Sequence, residues 1–187
     1  DRIDLDSRWR GPASIKIPDR ECYTNGEPWT VGNASDSEAG TFTLTQATAH
    51  SVNTVYAQLV TEVGPGDVAD VAHRMGIESP LDPVCSITLG TQDVTPLEMT
   101  EAYATLAARG WRHRATPLQQ VGGPGGDVNF RLDQRGRQVL NENDADLVTY
   151  ALQTVVTGGT GTNANIGRPV AGKTGTAEVD VANSINR

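Results

Sequence analysis

The stretch Gly167-Arg168-Pro169-Val170-Ala171-Gly172-Lys173-Thr174 satisfies the phosphate-loop pattern G-x-x-x-x-G-K-[ST] letter for letter. That pattern dictates the fold around it. A buried strand must precede the first glycine and a helix must open at the lysine, so that backbone N–H groups and the helix dipole face the phosphates. The flanking residues carry neither. Upstream, Gly158-Gly159-Thr160-Gly161-Thr162-Asn163-Ala164-Asn165-Ile166 has a loop composition with no apolar run. Downstream, Gly175 would fall in the first helical turn, and Thr176-Ala177-Glu178-Val179-Asp180-Val181 alternates as a strand does. Residues 173–176 are therefore expected as an extended strand. Gly172 and Gly175 lack a Cβ, so a peptide backbone could approach and add along the edge. Lys173 would put a cation in the resulting cleft, and Thr174 and Thr176 would offer hydroxyls to a carboxylate.

A second polar element lies far upstream. Ser51-Val52-Asn53 precedes Thr54-Val55-Tyr56-Ala57-Gln58-Leu59-Val60, a run with helical periodicity. Taken alone, the triplet reads equally well as a helix start, because Ser and Asn both favour N-caps. Its surroundings, Leu44-Thr45-Gln46-Ala47-Thr48-Ala49-His50-Ser51-Val52-Asn53-Thr54-Val55-Tyr56, resemble the second motif region of penicillin-binding proteins. Gly90-Thr91-Gln92-Asp93-Val94-Thr95-Pro96-Leu97-Glu98-Met99-Thr100 is similar to the helix between that family's second and third motifs. Thr157-Gly158-Gly159-Thr160-Gly161-Thr162 resembles the loop before the third motif, and Lys173-Thr174-Gly175-Thr176 resembles the motif itself. The order and spacing look most like the bifunctional class A type, with class B transpeptidases sharing the same motifs.

One departure stands against these matches. The family's nucleophile motif is Ser-x-x-Lys, and this chain has none. Lys16 follows Ser14 at the wrong spacing. Arg187 follows Ser184 at the right spacing but in the wrong place, and Arg cannot serve as a base. Residues 1–187 are accordingly expected to be part of one transpeptidase domain, with the nucleophile segment upstream of Asp1 and further strands beyond the third motif. The resemblance implies an α/β (α+β) fold, a helical subdomain with strands of an antiparallel sheet.

The same resemblance implies a peptidoglycan D,D-transpeptidase working through a serine acyl-enzyme and inhibited by β-lactams. Ser51 would pass a proton to the departing D-alanine nitrogen and Asn53 would hold the acyl-chain amide. Lys173 would supply positive potential, Thr174 and Thr176 would bind the substrate carboxylate, and Gly175 would admit the peptide backbone. The backbone N–H of Thr176 would join that of the nucleophile in the oxyanion hole. The implied partners are D-Ala-D-Ala stem peptides, β-lactams and the remaining segments of the same domain, with no metal or organic cofactor. A D,D-carboxypeptidase, a β-lactamase-like hydrolase and a non-catalytic β-lactam sensor share these motifs, and a P-loop nucleotide-binding protein is the remote alternative.

Composition narrows the setting. The net charge of −8 argues against nucleic acid or anionic lipid as a partner. No apolar stretch is long enough to span a bilayer, so an anchor at the extracytoplasmic face of the bacterial membrane would have to lie outside these residues. Cys22 and Cys85 could be bridged in an exported protein or stay as buried thiols. Three scattered histidines make a zinc site improbable on ligand spacing, and His50 reads as structural. Thr95-Pro96-Leu97-Glu98 predicts a capped helix with Met99, Ala102, Tyr103 and Leu106 on its buried stripe and Gly110 closing it. Asn143 is expected to cap another, burying Leu147, Val148, Ala151, Leu152 and Val155. The Ser-x-Asn helix is expected to end near Glu62, followed by a short helix over 67–75. Residues 117–121 and 128–132 read as a hairpin, and residues 1–43 as mostly loop, with Trp9 and Trp29 as packing anchors.

Overall fold

A computed structural model describes residues 3–34, 39–133 and 135–175. Thr176, with the hydroxyl and oxyanion-hole N–H expected of it, and the alternating stretch after it lie outside the described residues. The described chain is α+β, with helices packed on short antiparallel strand pairs.

The described part of residues 1–43, expected to be mostly loop, also carries four short strands. β1 (Arg8–Gly11) pairs antiparallel with β4 (Gly40–Thr43), and β2 (Ser14–Ile17) pairs with β3 (Trp29–Gly32). Each strand is only four residues long, too short for alternation to stand out, and the partner of Arg8 is the distant Thr43. Such strands are stabilised by what they pack against rather than by propensity.

The helices α1 (Leu44–His50), α2 (Asn53–Val63) and α3 (Pro65–Met75) follow without a true linker. α2 separates two apolar clusters. On one side Val55 packs with Leu44, Ala47 and Val52, against Trp9 and Phe42 from the β1–β4 pair. On the other, Ala57 and Val60 pack with Ile17 and Val31 of the β2–β3 pair, against Trp29. Trp9 and Trp29 thus anchor one cluster each, as expected. Burying Val55 and Val60 together contributes roughly 3–6 kcal/mol. The second cluster also holds a Cys22–Cys85 disulfide with a Cα separation of 5.2 Å, which resolves the open question about these cysteines.

The capping box at Thr95 forms as predicted and starts α4 (Pro96–Ala107). The carboxylate of Glu98 also accepts from the backbone N–H groups of Glu78 and Ser79 and from the Ser79 hydroxyl. Hydrogen bonds from Thr95 and Ser79 hold its pKa down to about 2. Gly110 closes the helix as expected: after the left-handed Arg109 its N–H bonds back to the Thr105 carbonyl at 2.9 Å, and at its own φ of +89° a Cβ would lie 2.4 Å from the Leu140 carbonyl oxygen. The stripe holds only in part: Ala102 is buried as expected, but Thr105 is buried with it while Met99 and Tyr103 are exposed.

α5 (Glu142–Gly158) departs in the same direction. Its cap is Asn141, not Asn143, and Leu147 and Val148 are exposed, whereas Ala151 and Val155 are buried as expected, together with Ala145 and Val156. Met99, Tyr103, Leu106, Leu152 and Ala171 line an open apolar groove of about 520 Å³ between α4 and α5. The predicted hairpin is present but shorter, as β6 (Gln120–Gly122) and β7 (Val128–Arg131). Two further short strands, β5 (Trp111–Arg112) and β8 (Arg137–Gln138), pair with each other.

Candidate active site

The corner between α1 and α2 is built by backbone geometry. Ser51 is left-handed, at φ +58° and ψ +44°, and its N–H bonds to the Ala47 and Thr48 carbonyls. The Val52 N–H reaches Ala47 at 2.9 Å. This is a Schellman closure, with Val52 and Ala47 making the accompanying apolar contact. Glycine normally takes the left-handed position, so a serine there carries a cost of about 1 kcal/mol. Ser51 therefore ends a helix rather than starting one, and the residue at the N-cap of α2 is Val52, which makes no side-chain cap.

Hydrogen bonds fix both sides of that corner. Asn53 donates one Nδ2 hydrogen to Gly32 at 3.1 Å; among the described residues its second hydrogen and Oδ1 have no partner. The Thr48 hydroxyl lies 2.7 Å from the Leu44 carbonyl, which can only accept, so Thr48 donates to it. The Tyr56 hydroxyl, 2.6 Å from Thr48, must then be the donor in that pair. Burial raises the Tyr56 pKa, keeping the phenol protonated for this role.

Lys173 approaches from the opposite wall. The Gly172 N–H bonds to Leu152 at 3.3 Å, and the Thr174 hydroxyl lies 2.6 Å from that of Thr160, so α5 and its terminal loop carry the segment. Lys173 Nζ donates to Ser51 Oγ at 2.7 Å and to its neighbour's carbonyl at 3.2 Å. No carboxylate pairs with Lys173 among the described residues. Burial lowers its pKa from the ordinary lysine value. A partly desolvated amine facing a hydroxyl suits both anion binding and proton transfer.

Ser51, Asn53, Lys173, Thr174 and Gly175 line one cleft of about 540 Å³. No helix begins at Lys173, as a phosphate loop requires, and Lys173–Gly175 form no strand ladder among the described residues. Thr160, Tyr56, Thr88 and Leu89 also line the cleft without having been singled out as site residues, and His50, read as structural, lines it too. Thr160 stands in the glycine-rich loop noted in the sequence, and that was the one available signal. Among the described residues no cluster of His, Cys, Asp and Glu could hold a metal, and no helix is long and apolar enough to cross a membrane.

Residues 9–185 match the sequence profile of the family described as "Penicillin binding protein transpeptidase domain". The chain is 34% identical over 156 residues to penicillin-binding protein 1A of Aquifex aeolicus, covering 83% of this chain but only 21% of that protein. Its fold is similar to the D,D-transpeptidase domain of a peptidoglycan glycosyltransferase from Eggerthella lenta, with a TM-score of 0.78 and 26% identity over 95% of this chain and 49% of that one. Penicillin-binding protein PonA1 of Mycobacterium tuberculosis also matches at 0.78, with 30% identity over 94% of this chain and 48% of that one. Given a profile match over nearly its entire length and two structural neighbours of the same kind, the chain belongs to the penicillin-binding protein transpeptidase domain family.

Proposed function

We propose that this chain supplies two of the three catalytic elements of a serine D,D-transpeptidase that cross-links peptidoglycan stem peptides. The observation that carries the reading is the 2.7 Å contact of Lys173 with Ser51, made across 122 residues of sequence inside a cleft that also presents Asn53 and Thr174. The nucleophilic serine and its lysine stand in a segment outside these residues. The half-length match to a complete transpeptidase domain and the open groove between α4 and α5 fit packing against the rest of that domain.

In this mechanism the nucleophile's oxygen bonds to the carbonyl carbon between two D-alanines while its proton moves to the lysine beside it. Ser51, held by Lys173, relays a proton to the departing amine as the C–N bond breaks. Asn53 holds the acyl-chain amide, and the Lys173 charge and the Thr174 hydroxyl hold the terminal carboxylate. An amine from a second stem then bonds to the ester carbonyl carbon and gives up a proton through Ser51 and the lysine, and the serine oxygen leaves with that proton as its C–O bond breaks. A β-lactam acylates the same serine, in keeping with the solved complex of PonA1 with penicillin V. Anchoring at the extracytoplasmic membrane face belongs to the same proposal.

Fluorescent penicillin followed by denaturing electrophoresis tests it. The longer protein carrying this segment should label, and Lys173→Ala should slow labelling by about 10²-fold or more, the usual loss for a positioned charge or donor. The 187-residue chain alone should not label. A labelled band from that chain alone, or Lys173→Ala kinetics within about twofold of the parent, refutes the assignment.

A further inference from the structure

We propose that Thr160 is a positioning residue that aims the Thr174 hydroxyl at the substrate carboxylate; this rests on the transpeptidase reading. The hydroxyls lie 2.6 Å apart, a full hydrogen bond, and each has a single proton. A carboxylate only accepts. When Thr174 donates to it, the Thr174 oxygen is left to accept, and Thr160 becomes the donor. The result is a directed chain, Thr160 to Thr174 to carboxylate, in which the first bond polarises the second. Without Thr160 the Thr174 rotor is free to turn away.

Thr160 is itself held by backbone rather than by flexible contacts. Its N–H donates to the Ala49 carbonyl at 3.0 Å, two residues before Ser51. Gly159 beside it presses so close to that carbonyl that a Cβ would lie 2.1 Å from the oxygen. The Gly161 N–H returns to Val155 at 2.9 Å. Thr160 thus ties the wall carrying Ser51 to the wall carrying Lys173 and Thr174, and all four residues line the cleft.

The test uses the longer protein, with acylation by a penicillin bearing a free carboxylate compared with its methyl ester. Thr160→Val and Thr160→Ala should lower the acid-to-ester rate ratio about 5- to 10-fold, the range for one lost hydrogen bond. The loss should lie in the concentration dependence, with the saturated rate nearly unchanged. Thr160→Ser should restore the ratio to within about twofold. In a Thr174→Val background, Thr160→Val should add less than about twofold. An unchanged ratio in a parent that labels normally overturns the inference and leaves the transpeptidase reading intact. Equal loss on acid and ester without rescue by serine also overturns it, since that marks a purely structural role. A parent that never labels removes the functional reading and this inference together.

Discussion

Gly158 and Gly159 are adjacent in sequence, yet alanine should have opposite effects at the two positions. Gly158 is the last residue of α5 and has nothing within 4 Å of where a Cβ would stand. Alanine there reduces unfolded-chain entropy and improves helix propensity, so it should be neutral or stabilising by up to about 1 kcal/mol. At Gly159 a Cβ meets the Ala49 carbonyl oxygen at 2.1 Å and its carbon at 2.7 Å, both backbone atoms. Real Cβ atoms essentially never come within 3.0 Å, so the walls must part by about 0.9 Å. That displacement strains the α1–α5 packing, at about 1–3 kcal/mol, and breaks the 3.0 Å bond from Thr160 to Ala49, worth about 1 kcal/mol more. Gly159→Ala should therefore destabilise by about 2–4 kcal/mol. Urea unfolding read by the fluorescence of Trp9 and Trp29, one in each apolar cluster, measures both variants. A Gly159→Ala midpoint matching that of Gly158→Ala would show that the close approach of α1 and α5 is not what holds this corner.

Ser51→Gly should raise stability by about 0.5–1 kcal/mol by relieving the left-handed serine, while penicillin labelling of the longer protein falls sharply; a stability loss would contradict the Schellman geometry. The Glu98 pKa is depressed to about 2, so its contribution is present above the unfolded carboxylate value and is lost as pH falls through 4 toward 2. Glu98→Gln should flatten acid unfolding across that window, and an unchanged acid limb would refute the link. Reducing the Cys22–Cys85 bridge, which closes a 63-residue separation, should cost about 4 kcal/mol on chain-entropy grounds, read as a lower urea midpoint in the presence of a thiol reductant. A midpoint that ignores the reductant would count against it.

Local rules made much of this fold legible. The capping box at Thr95 and the helix it starts need only four residues in order, and they form as written. The hairpin over β6 and β7 is likewise local, closed by its own glycine-rich turn. The failures share a cause. β1 cannot be seen without Thr43, and Met99, Tyr103, Leu147 and Val148 keep the helical period yet stay exposed, because what covers an apolar stripe is not encoded in the stripe.

The site divides in the same way. Sequence alone pointed to Ser51, Asn53, Lys173, Thr174 and Gly175 as site candidates in two resembling segments, since their identities and order are one-dimensional facts. It could not determine that Ser51 sits in a left-handed turn, which depends on a closure between Ala47 and Val52. Nor could it give the 2.7 Å meeting of Lys173 with Ser51, or the 2.6 Å pairing of the Thr160 and Thr174 hydroxyls. Those require α1 and α5 to pack with Gly159 against Ala49, an approach set by the absence of one methyl group and visible only when distant backbones are brought together.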